Sequence, residues 1–165
     1  MINPLIQKVV AAYSGSASSR RAVLYGIILS KQYKCSLKVV YVVDTAAIKM
    51  LTLNKFMVAP EGKKIKEHLM EDGKRELEYV ASLAKSKAVE IETEIREGAV
   101  WSEIISCADE SGADLILLGG TSSVQALSSI GHSVVGRQDA EIIGSAHCSV
   151  MAVREKNIED LFKML

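Results

Sequence analysis

Apolar residues fall along this chain in two alternating patterns. Ile6 to Tyr13, Ser36 to Val43, Asp114 to Leu118 and Ser149 to Val153 carry nearly continuous apolar runs, the mark of strands buried on both faces of a parallel sheet. Val89 to Ile95 instead alternates Val and Ile with Glu and Thr, which predicts a strand with one wet face, suited to a sheet edge. Between the strands, apolar positions recur at helical spacing. Ser18 to Lys34 carries Ala22, Tyr25 and Leu29 on its inner face, and Lys63 to Lys87 carries Ile65, Leu69, Leu77, Val80 and Ala84, with Gly73 on the same stripe. Trp101, Ile104, Ile105 and Ala108 predict a helix that stops at Gly112, and short helices are expected over Arg137 to Ala146 and Asn157 to Leu165. Asp44 to Pro60 holds Ile48, Met50, Leu51, Leu53, Phe56, Met57 and Val58. It is too apolar for a solvated loop and reads as a partly helical excursion that packs over the body.

This β-α-β-α-β-α-β-α-β succession predicts a doubly wound α/β fold, a five-stranded parallel sheet with helices on both faces. Right-handed crossovers and a half-wet third strand at the edge make 3-2-1-4-5 the simplest strand order. Strands one and four then lie side by side where the order reverses, the place at which such sheets bind ligands. The organisation expected is one domain over residues 1–155, followed by an amphipathic helical extension over residues 156–165.

With 165 residues the chain can bury a full core. Lys plus Arg and Asp plus Glu balance at 20 each, so no electrostatic footprint for nucleic acid or an anionic membrane is present. Cys35, Cys107 and Cys148 are odd in number and widely spaced, and read as small core residues in a reducing compartment. No signal core and no apolar stretch of spanning length occurs, and the expected location is the cytoplasm.

The strongest candidate site is the loop from Gly119 to Arg137. It contains Gly119, Gly120, Gly131 and Gly136 among Thr121, Ser122, Ser123, Ser128, Ser129 and Ser133. Backbone amides of such a loop, with the start of the following helix and Arg137, form a phosphate cradle. The plain alternative is a solvated surface loop. No Walker sequence is present. Ser14-Gly15-Ser16 is a weaker signal, because Ser16 serves equally well as a helix cap. His68 and His132 read as solvated, His147 as structural, and Trp101 and Phe56 as core. No residue pattern recommends a catalytic or metal site. Val150, Met151, Ala152 and Val153 would leave a costly bare edge, which pairing with a second copy of the chain would cover. The terminal helix would either reinforce that contact or fold back on its own subunit.

The opening Lys8-Val9-Val10 strand, Gly15-Ser16 with Ser19 and Ala22, Val39 to Asp44, Gly98 with Ile104, Ala113 to Gly119, and the closing Cys148 to Val153 together resemble the universal stress protein family over nearly the whole chain. The resemblance implies a cytoplasmic, dimeric, Rossmann-like protein with the 3-2-1-4-5 sheet. Many members bind ATP and others do not. Binding members carry an aspartate at the end of the first strand and a loop Gly-x2-Gly-x9-Gly followed by Ser or Thr. Here Ser14 stands at the aspartate position and Gly119 fits the first glycine. Ser122 stands at the second, and Gly136 fits the last, followed by Arg137. The spacing from Ser122 to Gly136 is four residues longer than the pattern. A rival match from Gly131 to Gly144-Ser145 leaves too little chain for the last helix.

Carried over residue by residue, the pocket is Ala12, Tyr13, Ser14, Val42, Leu118, Gly119, Ser122, Gly136 and Arg137. The function so implied is a non-catalytic regulatory dimer in stress response, with a modified or lost nucleotide pocket and protein partners. The alternative is an ATP-binding member with slow hydrolysis or self-phosphorylation, in which Mg enters only with ATP. A small phosphate-binding enzyme on the same fold is a third reading, because fold does not determine function.

Overall fold

The structure, a computed structural model, describes residues 2–120 and 137–165. Five strands form one parallel sheet: β1 (Lys8–Tyr13), β2 (Ser36–Asp44), β3 (Glu92–Gly98), β4 (Leu115–Gly119) and β5 (Ser149–Val153). Their order is β3-β2-β1-β4-β5, as the crossover argument required. Helices α1 (Ala17–Tyr33) and α3 (Ala59–Ser86) cover one face. Helices α4 (Val100–Ser111) and α5 (Arg137–Ser145) cover the other. The strand pleat divides the core between them. Val9, Ala11 and Tyr13 point toward α1 and α3, whereas Val10 and Ala12 point toward α4 and α5. The sheet starts in register through Asp114, whose carboxylate accepts the backbone N–H groups of Gln7 and Lys8 at 2.9 Å each. These two bonds hold that carboxyl below its ordinary range.

The final helix, α6 (Ile158–Met164), folds back on its own subunit. Ile158 and Phe162 are buried in the core on the α1 side, and the Lys87 ammonium stands 5.0 Å from the centre of the Phe162 ring. Gly73, an unfavourable residue in a helix interior, has a packing reason. A Cβ there would stand 2.7 Å from Ile95 and 2.8 Å from Tyr41, so its absence lets α3 lie close on β2 and β3.

Three expectations are corrected. The third strand runs from Glu92 to Gly98 rather than from Val89 to Ile95. Ala88 takes a left-handed φ of 54° at the exit of α3, and the Val89 N–H bonds back to the Ala84 carbonyl. Val89 therefore packs against the helix end instead of opening the strand. Phe56 and Trp101 are not core residues, with relative exposures of 80% and 36%. The excursion after β2 holds α2 (Thr45–Leu53), capped by the Asp44 carboxylate. It does not bury its apolar content: α2 has no buried residue, and Met50, Leu53 and Val58 are exposed.

The polar face of β3 is partly covered by α4: Glu92 stays exposed, while Glu94 and Arg96 are drawn under it. Arg96, only 13% exposed, binds Glu94 at 2.7 Å, Glu110 at 2.5 Å and Glu103 at 3.6 Å, and Lys38 holds Glu92 and Glu94 at 3.2 Å. Burial pushes the Glu94 carboxyl up, but Lys38 and Arg96 together hold it below the ordinary range. This ion cluster docks α4 on the sheet edge.

Candidate functional site

At the carboxyl ends of β1, β2 and β4 a cavity of about 280 Å³ opens between α1, α4 and α5. Its position follows from the topology. The chain leaves β1 toward α1 on one face, and β4 lies beside β1 with its partner helices on the other, so the strand ends part. The walls are apolar: Ala12, Val40, Val42, Val100, Ile104, Leu118 and Ile142.

The polar rim is built mainly from serine hydroxyls. Gly15, at φ +80°, turns the chain out of β1 and brings Ser14 back over the start of α1. Ser16 caps that helix by accepting the Ser19 N–H at 3.2 Å. The Ser16 hydroxyl also donates to Ser19 Oγ at 2.9 Å, and the Ser14 hydroxyl lies 3.1 Å from Ser16 Oγ and 3.2 Å from Ser19 Oγ. Ser18 completes the group, 3.3 Å from Ser16. Opposite them, the first turn of α5 contributes Gln138 and Asp139. The Trp101 backbone N–H donates to Gln138 Oε1 at 3.3 Å, which ties α5 to the start of α4. Burial alone pushes the Asp139 carboxyl above its ordinary range.

Of the nine residues expected at the site, six line this cavity: Ala12, Tyr13, Ser14, Val42, Leu118 and Gly119. Tyr13 contributes differently from its neighbours. Its side chain lies in the core on the α1 side and its hydroxyl donates to Glu76 Oε2 at 2.5 Å. Burial, then this bond, raises its pKa to about 12. Gly119 has a structural reason independent of any ligand. A Cβ there would stand 2.5 Å from the carbonyl carbon of Ser18 and 2.6 Å from Ser19 N. Ser122 and Gly136 lie outside the described residues, as do His132 and the loop from Thr121 onward. Arg137 is the first residue of α5.

The sequence reading missed Asp139, Gln138, Ser18, Ser19, Val40, Val100, Ile104 and Ile142 as lining residues. The apolar ones were legible only as core. Asp139 had a signal, an acid in the first turn of a helix beside a ligand loop, but that pattern is ordinary helix-dipole chemistry. His147 is exposed and lies 3.0 Å from Asp109 at the opposite end of the sheet, away from the cavity. Burial raises the Cys35, Cys107 and Cys148 thiols above their ordinary range. Among the described residues, no cluster of His, Cys, Asp and Glu has the arrangement of a metal site, and no helix is long and apolar enough to cross a membrane.

Comparison with known proteins agrees with this architecture. The universal stress protein MJ0531 of Methanocaldococcus jannaschii is 30% identical over 158 residues, covering 94% of this chain and 86% of that protein. The solved structure of the hypothetical protein MJ0577 superposes with a TM-score of 0.73 at 18% identity, covering 93% of this chain and 99% of that one. The structure of a universal stress protein from Archaeoglobus fulgidus in complex with dAMP superposes with a TM-score of 0.63 at 16% identity, covering 90% of this chain and 98% of that one. At these identities the two structures speak for the shared fold. The model of the universal stress protein family matches residues 5–154, and the chain belongs to that family.

Proposed function

We propose that this protein is a non-catalytic regulatory module of stress response, a cytoplasmic homodimer whose nucleotide pocket is modified from the ATP-binding form. The observation that carries the reading is the chemistry of the cavity at the β1 and β4 ends. Ser14 stands where binding members hold a carboxylate, and its hydroxyl is engaged by Ser16 and Ser19. A bound nucleoside thereby loses a charge-assisted acceptor and meets neutral hydroxyls instead. The relative from Archaeoglobus fulgidus in complex with dAMP supports a nucleotide-related occupant for this crevice. The same likeness favours, as a second reading, an ATP-binding member that takes Mg with the triphosphate.

In this reading the dimer forms through the edge of β5, where, among the described residues, Val150, Met151, Ala152 and Val153 pair with β4 on one side only. The fold-back of α6 leaves that edge to the strand alone. Sedimentation equilibrium of the protein against Ala152→Arg tests this: a dimer that becomes a monomer supports it, and a monomeric parent overturns it.

The ligand question is decided by isothermal titration with ATP and magnesium, after mass spectrometry has shown that no nucleotide co-purifies. The modified-pocket reading expects little or no heat from folded protein. Saturable micromolar binding that weakens in Arg137→Ala would replace it with the ATP-binding reading.

A further inference from the structure

We propose that Asp139 makes this cavity selective for an uncharged nucleoside over its phosphorylated forms. The inference rests on the reading of the cavity as a modified nucleotide pocket and names what the modification does. Asp139 lies on the first turn of α5, a nine-residue helix whose amino terminus opens onto the cavity. A helix start in that position would otherwise favour an anion. Here the position is occupied by the protein's own carboxyl. Among the described residues that line the cavity, Asp139 is the only one that carries charge. Its surroundings include Ile142 on the same helix and Val100 and Ile104 across from it. The upward push on its pKa from burial reports how poorly this space supports negative charge. A phosphate entering the same space meets a half-buried carboxylate of like charge, and the two repel.

The rest of the lining suits a neutral ligand. Val40, Val42, Leu118 and Ile142 offer an apolar slot for a planar base. Ser14, Ser16, Ser18 and Ser19 offer hydroxyls that both donate and accept, which complements sugar hydroxyls without requiring charge. A carboxylate opposite them accepts from a further hydroxyl or from an exocyclic amine. The plain alternative is that Asp139 only stabilises the start of α5, in which case its removal lowers stability and leaves ligand preference untouched.

The test is isothermal titration of the full chain with adenosine, AMP and ATP, repeated with Asp139→Asn. Parent protein is expected to bind adenosine tighter than ATP by about tenfold or more, with AMP between them. Asp139→Asn is expected to erase that ranking by improving AMP and ATP while leaving adenosine nearly unchanged. Equal or tighter binding of ATP by the parent overturns the inference, as does a ranking that survives the substitution. If Asp139→Asn fails to fold, the parent ranking alone decides. Binding of all three without discrimination overturns this inference and replaces the modified-pocket reading with the ATP-binding one. Binding of none overturns this inference and leaves the modified-pocket reading, which expects no heat from ATP, in place.

Discussion

Replacing Gly119 by alanine inserts one methyl group where the structure has no room for it. The added Cβ would stand 2.5 Å from the carbonyl carbon of Ser18 and 2.6 Å from Ser18 O and Ser19 N. All three are backbone atoms of the first turn of α1, so no side-chain rotation relieves the contact. The helix would have to retreat by about 1 Å to reach ordinary van der Waals separation. It is poorly placed to do so, because Val23 and Ile27 of the same helix are fully buried against the sheet. Overpacking of this kind costs about 1–3 kcal/mol, and a backbone obstacle puts Gly119→Ala near the upper end, at about 3 kcal/mol. With a urea dependence of about 2 kcal/mol per molar, the unfolding midpoint falls by about 1.5 M at unchanged slope. Gly144→Ala is the internal control. Nothing lies within 4 Å of its added Cβ, so only the helix preference for alanine acts, and stability rises by about 0.5–1 kcal/mol. Urea unfolding followed by circular dichroism measures both. If Gly119→Ala matches the parent, or if both variants lose stability equally, the close approach of β4 to α1 is not what demands glycine at this position.

Tyr13→Phe removes the hydroxyl bond to Glu76, and near neutral pH it should cost about 2 kcal/mol, the range for a bond to a charged acceptor. Tyr13 has its pKa raised from 10.0 to about 12, so its contribution is complete below the unfolded value and is lost as pH rises through the folded one. The stability gap between parent and variant should therefore close as urea titrations move from below pH 10 to about pH 12. Arg96→Ala leaves Glu94, Glu103 and Glu110 without their shared cation. A loss of about 2 kcal/mol is expected, below the range for a fully buried pair because Glu110 is largely exposed, and it should shrink in molar salt. Asp114 is held below its ordinary range by the Gln7 and Lys8 amides, so its stabilisation is present above the unfolded carboxyl pKa and fades as pH falls through the depressed folded value. Asp114→Asn should flatten the acid limb of the stability curve, and an unchanged limb would show that these bonds contribute nothing.

Much of the molecule was legible in the order and kind of its apolar runs. Runs such as Val9-Val10-Ala11 and Leu115-Ile116-Leu117 have no wet face, and only a parallel sheet covered by helices on both sides hides them. Alternation with helical stretches then restricted the topology through crossover handedness, and the wet third strand chose the edge. The apposition of β1 and β4, and with it the location of the cavity, followed without any knowledge of side-chain contacts. Gly119 and, more weakly, Ser14 were marked by the residues themselves, whereas Ala12, Val42 and Leu118 came with the family resemblance; all five lie at or beside the strands' carboxyl ends, where the backbone places them.

Other features depend on distance between chain segments and had no sequence signature. Helical spacing says that Asp139 begins a helix, but only the packing of α5 against α4 places it on the cavity and partly buries it. Tyr13 shared a strand end with Ala12 and Ser14, yet the pleat sends its ring to the other face, where α3 supplies Glu76 from 63 residues away. Gly119 was read as an opening for a ligand, and the fold shows that it is also an opening for α1. The polar face of β3 was read as wet because alternation marks polarity alone, and whether water or an ion cluster satisfies it depends on where α4 lands. Periodicity acts locally and determines which elements form and which way they face. The identity of each neighbour across a helix–sheet interface is set by close packing, which no local pattern encodes.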